Sequence, residues 1–435
     1  MNEGEGLRIA VCTTGTGGDH RPYLAIALEL RRQGHDVACV VHPKYSNTVE
    51  QLRLPAHIAG TDWPDSYLVA HPEMLDPRRG FYEITRQLLL PDASLQFEQL
   101  ERLHATRRIE AVVAHHIAFG AIWWAEARDV PLTLGWLSPA AIIRPDGHGS
   151  MLPGVARRTP KLISQLLRLL VPPIVRRELD APMNAARTAL GLRHERDSMI
   201  RLLTSEHGHV ALWSEALRSP AAGDPPGLVT CGFPFFETEA DARPIPADTA
   251  KFLEEDPPPI VCALGTTGGD MPFPVADLVA EGCERSGRRA LLIGDRPPTS
   301  AGSSRWVAFA PHARVFENAQ LIVHHAGIGT LAAVLRAGKP SLVLPLANDQ
   351  FDNGVRLKGR GVASILDVRK ATPAAIGRAL RKLIEDRSAA RETSRLGARV
   401  RAENGARLAA ETIVAYAYSR SSALRHASLG GRASK

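Results

Sequence analysis

The chain of 435 residues is poor in cysteine: Cys12, Cys39, Cys231, Cys262 and Cys283 are all it has, and no two form a C-x-x-C pair. A disulfide framework or a thiolate zinc site is therefore not expected. Cys12, Cys39 and Cys262 lie in apolar, strand-like runs that suit buried free thiols. Long apolar runs are missing too, since none approaches the roughly 20 residues that span a bilayer. The start, "MNEGEGLRIAVCTT", has no basic leader and passes straight into a strand. No signal peptide is expected, and the expected location is cytoplasmic. Charge of one sign is not concentrated: 53 Lys+Arg against 46 Asp+Glu leaves a net +7. The excess is scattered except around residues 157–177, which argues against nucleic acid as a partner.

What the chain does have is a repeated alternation of short aliphatic runs and longer helical ones. "RIAVCTT", "DVACVVH", "PAHIAG", "EAVVAH" and "PLTLGW" read as strands, with "RPYLAIALELRRQG", "SNTVEQLR" and "FGAIWWAEARD" as helices between them. The alternation lapses into a mostly helical region over about 140–205. It resumes after the Pro/Gly/acidic stretches "RSPAAGDPPG" and "ETEADARPIPAD" with strands "PIVCALG", "RALLIGD", "SRWVAFAP", "QLIVHHA", "SLVLPL" and "VASILDV". This pattern implies βαβ units and two doubly wound parallel sheets of α/β class, in two domains. The expected boundaries are 1–235, 236–405, a helix over 406–418 packing back on the first domain, and a disordered Ser/Gly/Arg-rich tail over 419–435.

The stretch "LIVHHAGIGTLAAVLRAGKPSLVLPLANDQFDN" (321–353) carries the first chemical signal. A strand ends at His324 and His325, and a helix follows from near Gly329 or Thr330. The first turn of a helix offers unpaired N–H groups and partial positive charge, so it attracts anions. Gly327 and Gly329 allow close approach, Thr330 adds a hydroxyl, and His325 can donate from beside the turn. A metal reading lacks third and fourth ligands nearby. Burial of both histidines in a satisfied turn is the plainer alternative. Asp349 and Gln350, in the loop after "SLVLP", suit a polyhydroxy ligand, because a carboxylate accepts from sugar hydroxyls and an amide both donates and accepts. The plainer alternative for Asp349 is a helix N-cap. Both motifs fall at the carboxyl ends of strands, where doubly wound folds bind ligands.

With these residues in place the chain resembles the nucleotide-sugar-dependent glycosyltransferases of the two-Rossmann-domain (GT-B) type. The likeness is to the bacterial branch acting on antibiotics and lipids, and runs from "RIAVCTT" to the final helix. "DQFDN" and "GFPFFE" are most similar to the rhamnosyltransferases of mono-rhamnolipid. The resemblance implies that His325 contacts the diphosphate with Gly327, Gly329 and Thr330, and that Asp349 and Gln350 read the sugar. It also implies Phe309 and Ala310, in "FAPHARVF", as base contacts, and Gly265 and Thr266, in "ALGTTGG", near the phosphates. Ala326 departs from the Gly that relatives often have there. A methyl costs little unless that residue needs a positive φ.

The resemblance makes "TTGTGGDHRPYLAIA" the base-bearing loop of an acceptor domain; as a dinucleotide fingerprint alone it is weak. Inverting transfer needs a base for the acceptor hydroxyl. Asp19 is the first choice and His20 the second, with His115 standing where His-based relatives carry an orienting Asp. An Asp19–His115 pair with reversed roles is one option; ordinary strand-end histidines are the other. The helix dipole would lower the Asp19 pKa, so burial or a neighbour must raise it. The expected activity is inverting, metal-independent transfer of a hexose or deoxyhexose from a UDP- or dTDP-sugar, needing no cofactor. The expected acceptor is a lipophilic hydroxyl compound. "GVARRTPKLISQLLRLLVPPIVRRELD", Phe119, Trp123 and Trp124 are candidates to border it, and residues 155–180 to touch a membrane. A sugar-nucleotide epimerase or a non-catalytic auxiliary of the same fold are the alternatives.

Overall fold

The computed structural model describes residues 6–63, 67–142, 148–237, 239–264, 275–294, 297–299 and 302–430. Two parallel sheets organise the chain. The first has strands β1 (Arg8–Cys12), β2 (Asp36–Val41), β3 (Ala56–Ile58), β4 (Ala111–His115), β5 (Leu132–Trp136), β6 (Gly208–Ala211) and β7 (Val229–Thr230) in the order β3-β2-β1-β4-β5-β6-β7. The second has β8 (Ile260–Ala263), β9 (Ala290–Ile293), β10 (Arg305–Val307), β11 (Leu321–His324), β12 (Ser341–Val343) and β13 (Ala363–Ile365) in the order β10-β9-β8-β11-β12-β13. The registers that join them are parallel throughout. Every residue of β4 and β5 is buried, as befits parallel strands covered by helices on both faces. The expected α/β class with two doubly wound sheets is the fold observed.

The chain order reverses between β1 and β4 in the first sheet, and between β8 and β11 in the second. Such switch points open a crevice at the carboxyl ends of the strands. Asp19 and His115 follow or end β1 and β4; His325 follows β11. Both candidate clusters therefore sit where topology leaves room for a ligand.

Five helices matter below: α1 (Gly17–Arg32), α2 (Lys161–Ala189), α3 (Ile328–Ala337), α4 (Gln350–Gly359) and α5 (Gly405–Gly430). One buried apolar cluster holds Ala114, Trp124 and Trp136 of the first domain together with Leu331, Leu335 and Val343 of the second, so the two domains pack on a shared core. Phe119, Trp123 and Trp124 are buried in that cluster, which makes them core residues. Ala409, Ala410, Ile413 and Ala417 of α5 pack with Ile9, Val11 and Tyr23 of the first domain. Helix α5 continues to Gly430, past residue 419, where a tail without structure was expected. Residues 420–430 hold two alanines and two leucines and no proline, so nothing in them breaks the helix before Gly430. Strands β6 and β7 had no counterpart in the sequence reading: "GHVA" and "VT" are too short and mixed to stand out. The five cysteines are free and buried.

Candidate active site

Helix α1 starts at Gly17, four residues before the sequence reading placed it, so Asp19 lies in the first helical turn rather than in a loop. The reason is a T-x-x-D capping arrangement. Asp19 Oδ2 accepts from the Thr16 N–H (2.7 Å) and the Thr16 hydroxyl (2.9 Å). Gly15 precedes it at φ +102, and a Cβ there would lie 2.5 Å from Asp19 Oδ2, so the turn requires glycine. Burial raises the Asp19 pKa above the usual aspartate value, and the Thr16 bonds lower it only in part. The raised proton affinity is what a general base needs.

His20 stands behind it, fully buried. Its Nδ1 meets the Thr13 hydroxyl, and its ring lies 4.0 Å, centroid to centroid, from Tyr45. Burial, then the His115 and His42 charges, bring its pKa down to about 3, so the ring is neutral. His115 is equally enclosed, with Tyr23 and His116 rings at 5.6 and 4.6 Å, and burial lowers its pKa to about 3. Of the two options for His115, the described residues show no Asp19–His115 bond: Asp19 bonds to Thr16, and the His115 ring lies against Tyr23 and His116.

In the second domain, β11 ends at His324, which is fully buried and accepts the Ala326 N–H at Nδ1 (3.2 Å). His324 thus packs under the turn. Ala326 has φ +68, the left-handed region, so the condition under which its methyl carries a cost is met. Left-handed alanine costs about 1–2 kcal/mol, while glycine would forfeit about 0.8 kcal/mol of methyl burial and about 0.5–1 kcal/mol of chain entropy. These terms nearly cancel. Ala326→Gly is therefore expected to leave stability within about 1 kcal/mol of the parent, whereas Ala326→Val, β-branched at positive φ, is expected to cost about 3 kcal/mol. Thermal unfolding of the three proteins checks both.

His325 is buried beside this turn; burial, then the His312 charge, lowers its pKa to about 4 against a raising bond that the ring donates to the Ala263 carbonyl. At neutral pH it is an uncharged donor. Its Nδ1 has no partner among the described residues, and its Nε2 lies where a Cβ on Gly327 would come within 2.3 Å. Gly327 caps α3, whose first internal bond is Leu331 N–H to Gly327 O (2.9 Å). The N–H groups of residues 328–330 then point out of the helix end. Gly329 has open space around its α-carbon, and Thr330 is half-buried beside it. Together these residues set N–H and hydroxyl donors at one helix end, an arrangement that attracts anions. Phe309 is 50% exposed, and so offers a ring face; Ala310 is 2% exposed, so that its methyl belongs to the core and only its backbone can meet a ligand. Gly265 and Thr266 lie outside the described residues.

Gln350 opens α4 instead of lying in the preceding loop, and Asp349 occupies the N-cap position without capping. The Asp349 carboxylate accepts from Asn353 Nδ2 (2.8 Å) instead. Gln350 Oε1 accepts from the Leu346 and Ala347 N–H groups (2.8 and 3.1 Å), so its carbonyl holds the loop and its NH2 is the half left to read a hydroxyl. Burial pushes the Asp349 pKa up to about 6; bonds from Ser138 and Asn353 pull it down, and the charges of Asp19 and Asp352 push it up. The charge of Asp19 in the first domain thus reaches Asp349 in the second.

A carboxyl with a raised folded pKa binds its proton more tightly folded than unfolded. Its contribution therefore favours folding below the unfolded value, near 4, and is lost as pH rises to about 6. Asp349→Asn is expected to leave the melting midpoint unchanged at pH 4 and raise it by about 2–4 °C at pH 7.5. Calorimetry at the two pH values checks this.

Among the described residues no group of three or more His, Cys, Asp or Glu gathers as a metal site, and no helix is long and apolar enough to cross a membrane. Residues the sequence reading missed are Ser138, Asp352, Asn353 and Arg356. The i,i+4 spacing of Asp349 and Asn353 was the available signal.

The Glycosyltransferase family 28 N-terminal domain matches residues 9–131, and the Erythromycin biosynthesis protein CIII-like C-terminal domain matches residues 297–416. Similar proteins include O-mycaminosyltylonolide 6-deoxyallosyltransferase of Streptomyces fradiae, 27% identical over 439 residues, 96% of this chain and 99% of that one. A sterol 3-beta-glucosyltransferase of Arabidopsis thaliana is 24% identical over 385 residues, 82% of this chain, which spans 60% of that relative's length. Solved structures of similar fold include the glycosyltransferase of kitacinnamycin (TM-score 0.71, 19% identity, 95% of this chain, 99% of that one). Another is spinosyn rhamnosyltransferase SpnG complexed with thymidine diphosphate (TM-score 0.66, 17% identity, 94% of this chain, 100% of that one).

Proposed function

We propose that this chain, which belongs to the GT-B glycosyltransferases that pair a family 28 N-terminal domain with an EryCIII-like C-terminal domain, is an inverting, metal-independent enzyme for a lipophilic hydroxyl acceptor. Its donor is a nucleoside-diphosphate hexose or deoxyhexose, with dTDP-rhamnose the leading candidate. The observation that carries this reading is that Asp349 of the second domain is held through Asn353 to Ser138 of the first and feels the Asp19 charge, while the same Asn353 holds Ala326 just before the α3 N-terminus. The acceptor hydroxyl gives its proton to Asp19 as its oxygen bonds to C1. The bond from C1 to the diphosphate oxygen breaks on the opposite face. Charge developing on the diphosphate falls on the α3 N-terminus, His325 and Thr330, while Asp349 and the Gln350 NH2 hold sugar hydroxyls. The preference for a dTDP-deoxysugar draws on the names of the 6-deoxyallosyltransferase and of the thymidine diphosphate complex of a rhamnosyltransferase.

Peripheral contact with an anionic membrane belongs to the same proposal. On α2, Leu162 and Leu169 are 79% and 73% exposed, and residues 155–180 contain Arg157, Arg158, Lys161 and Arg168 beside Arg176 and Arg177, which pair with Asp197 and Glu178. Apolar side chains flanked by cations suit a negatively charged lipid surface.

The test offers dTDP-L-rhamnose and UDP-glucose with a macrolactone, a sterol and a hydroxy-fatty acyl acceptor, in EDTA, and reads the product's anomeric configuration by NMR. Inversion in EDTA is the expected result; retention, or dependence on a divalent cation, contradicts the mechanism. Flotation with phosphatidylglycerol vesicles, lost in Leu162→Ser/Leu169→Ser, is expected for the membrane contact; equal recovery with phosphatidylcholine or no flotation contradicts it.

A further inference from the structure

The face of α4 formed by residues 349, 352, 353 and 356 is turned to the first domain. At two successive positions that domain grips it. Asp352 Oδ1 accepts from the Ser150 N–H (2.7 Å), while Oδ2 takes Arg356 Nε (2.6 Å) in a buried pair. Beside it Asn353 is fully buried and uses its amide on three separate elements. Nδ2 donates to Ala326 O (3.0 Å) and to Asp349 Oδ2 (2.8 Å), and Oδ1 accepts from the Ser138 hydroxyl (3.1 Å). Ser138 follows β5 of the first domain, and its hydroxyl also reaches Asp349. Ala326 is the left-handed residue next to His325.

We propose that Asn353 is a positioning residue that couples the seating of the acceptor domain to the aim of Asp349 and of the turn carrying His325. The proposal rests on the reading of Asp349 as a sugar-binding carboxylate. The amide is the group that fits: two donors answer a carbonyl and a carboxylate, and one acceptor answers a hydroxyl. An aspartate would set a second carboxylate against Asp349 and Ala326 O. A leucine would leave Ala326 O, a buried acceptor, unpaired. Without the Ser138 hydroxyl, Asn353 loses the first-domain bond that fixes its plane. The hold of the first domain and the aim of Asp349 are set together, because one amide plane serves both.

The test uses the full chain with Ser138→Ala and Asn353→Asp, and follows kcat, donor KM, dTDP affinity, the pH profile of kcat and the melting midpoint. Ser138→Ala removes one hydroxyl and leaves the Ser150–Asp352 contact between the domains, so the fold is retained. It is expected to lower kcat roughly tenfold with dTDP affinity changed by less than about twofold. Asn353→Asp is expected to move the acidic limb of the profile to higher pH, since a neighbouring carboxylate favours protonated Asp349. A parallel fall of rate, dTDP affinity and midpoint with a fixed pH profile would mean a merely structural role and overturn the proposal. Wild-type behaviour of Ser138→Ala overturns it equally. Asp349→Asn separates the two readings. If that variant is fully active, the sugar-binding assignment itself fails. If it is inactive while Ser138→Ala and Asn353→Asp behave as wild type, the coupling alone fails.

Discussion

Asp19→Asn is expected to lower sugar transfer by about 10²–10⁴-fold, the range a positioned general base contributes, while dTDP affinity stays unchanged. The asparagine oxygen can still accept from the Thr16 N–H, so α1 keeps its start and the loss reads chemistry and not folding. The affinity is preserved because the residues assigned to the diphosphate belong to the other domain. Burial already lifts the Asp19 pKa, so the wild-type rate is expected to fall as pH drops through that raised value. In the Asn variant the Asp19 part of this limb disappears and the part set by Asp349, with its pKa of about 6, remains. His20 is the competitor for the role, and His20→Gln separates them. Its ring is fully enclosed, its Nδ1 is committed to Thr13, and a pKa near 3 makes it a poor proton acceptor. A dead His20→Gln beside an active Asp19→Asn would transfer the base assignment to His20.

His325→Ala is expected to lower kcat/KM for the donor by about 10²–10³-fold, the usual loss on removing one preorganised donor to a developing anion. His325 is neutral when the site is empty, with a pKa near 4. An arriving diphosphate favours the protonated ring, so binding is expected to take up protons at mildly acidic pH. Titration calorimetry in buffers of different ionisation enthalpy measures that uptake, and His325→Ala should abolish it. His325→Gln keeps a donor without a titrating ring, so it is expected to recover part of the rate and none of the proton uptake. Full activity of His325→Ala would leave the diphosphate to α3 alone.

Much of the fold was legible because buried parallel strands are nearly all aliphatic, and "RIAVC", "AVVAH" and "LIVH" announce themselves. Their alternation with helices placed Asp19 and His325 at strand ends, while the strand order that creates the switch points came with the structure. What stayed hidden depends on backbone and partners remote in sequence. Ala326 shows its positive φ only once the turn is built, and Gln350 turns its carbonyl to its own loop only in that loop's conformation. The T-x-x-D of Thr16 and Asp19 was a readable cap that the helical periodicity, beginning later, obscured. Ser138 and Asn353 are 215 positions apart, and no spacing rule joins them.

The most direct test of the whole account is acceptor-dependent release of nucleoside diphosphate by the purified chain in EDTA, with dTDP-L-rhamnose and UDP-glucose offered in turn. The account predicts release with at least one donor when a lipophilic hydroxyl acceptor is present, and loss of that release in Asp19→Asn. Turnover of the nucleotide sugar without any acceptor would mark an epimerase. Donor binding without release across the acceptor panel would mark an auxiliary protein, and either result contradicts the account.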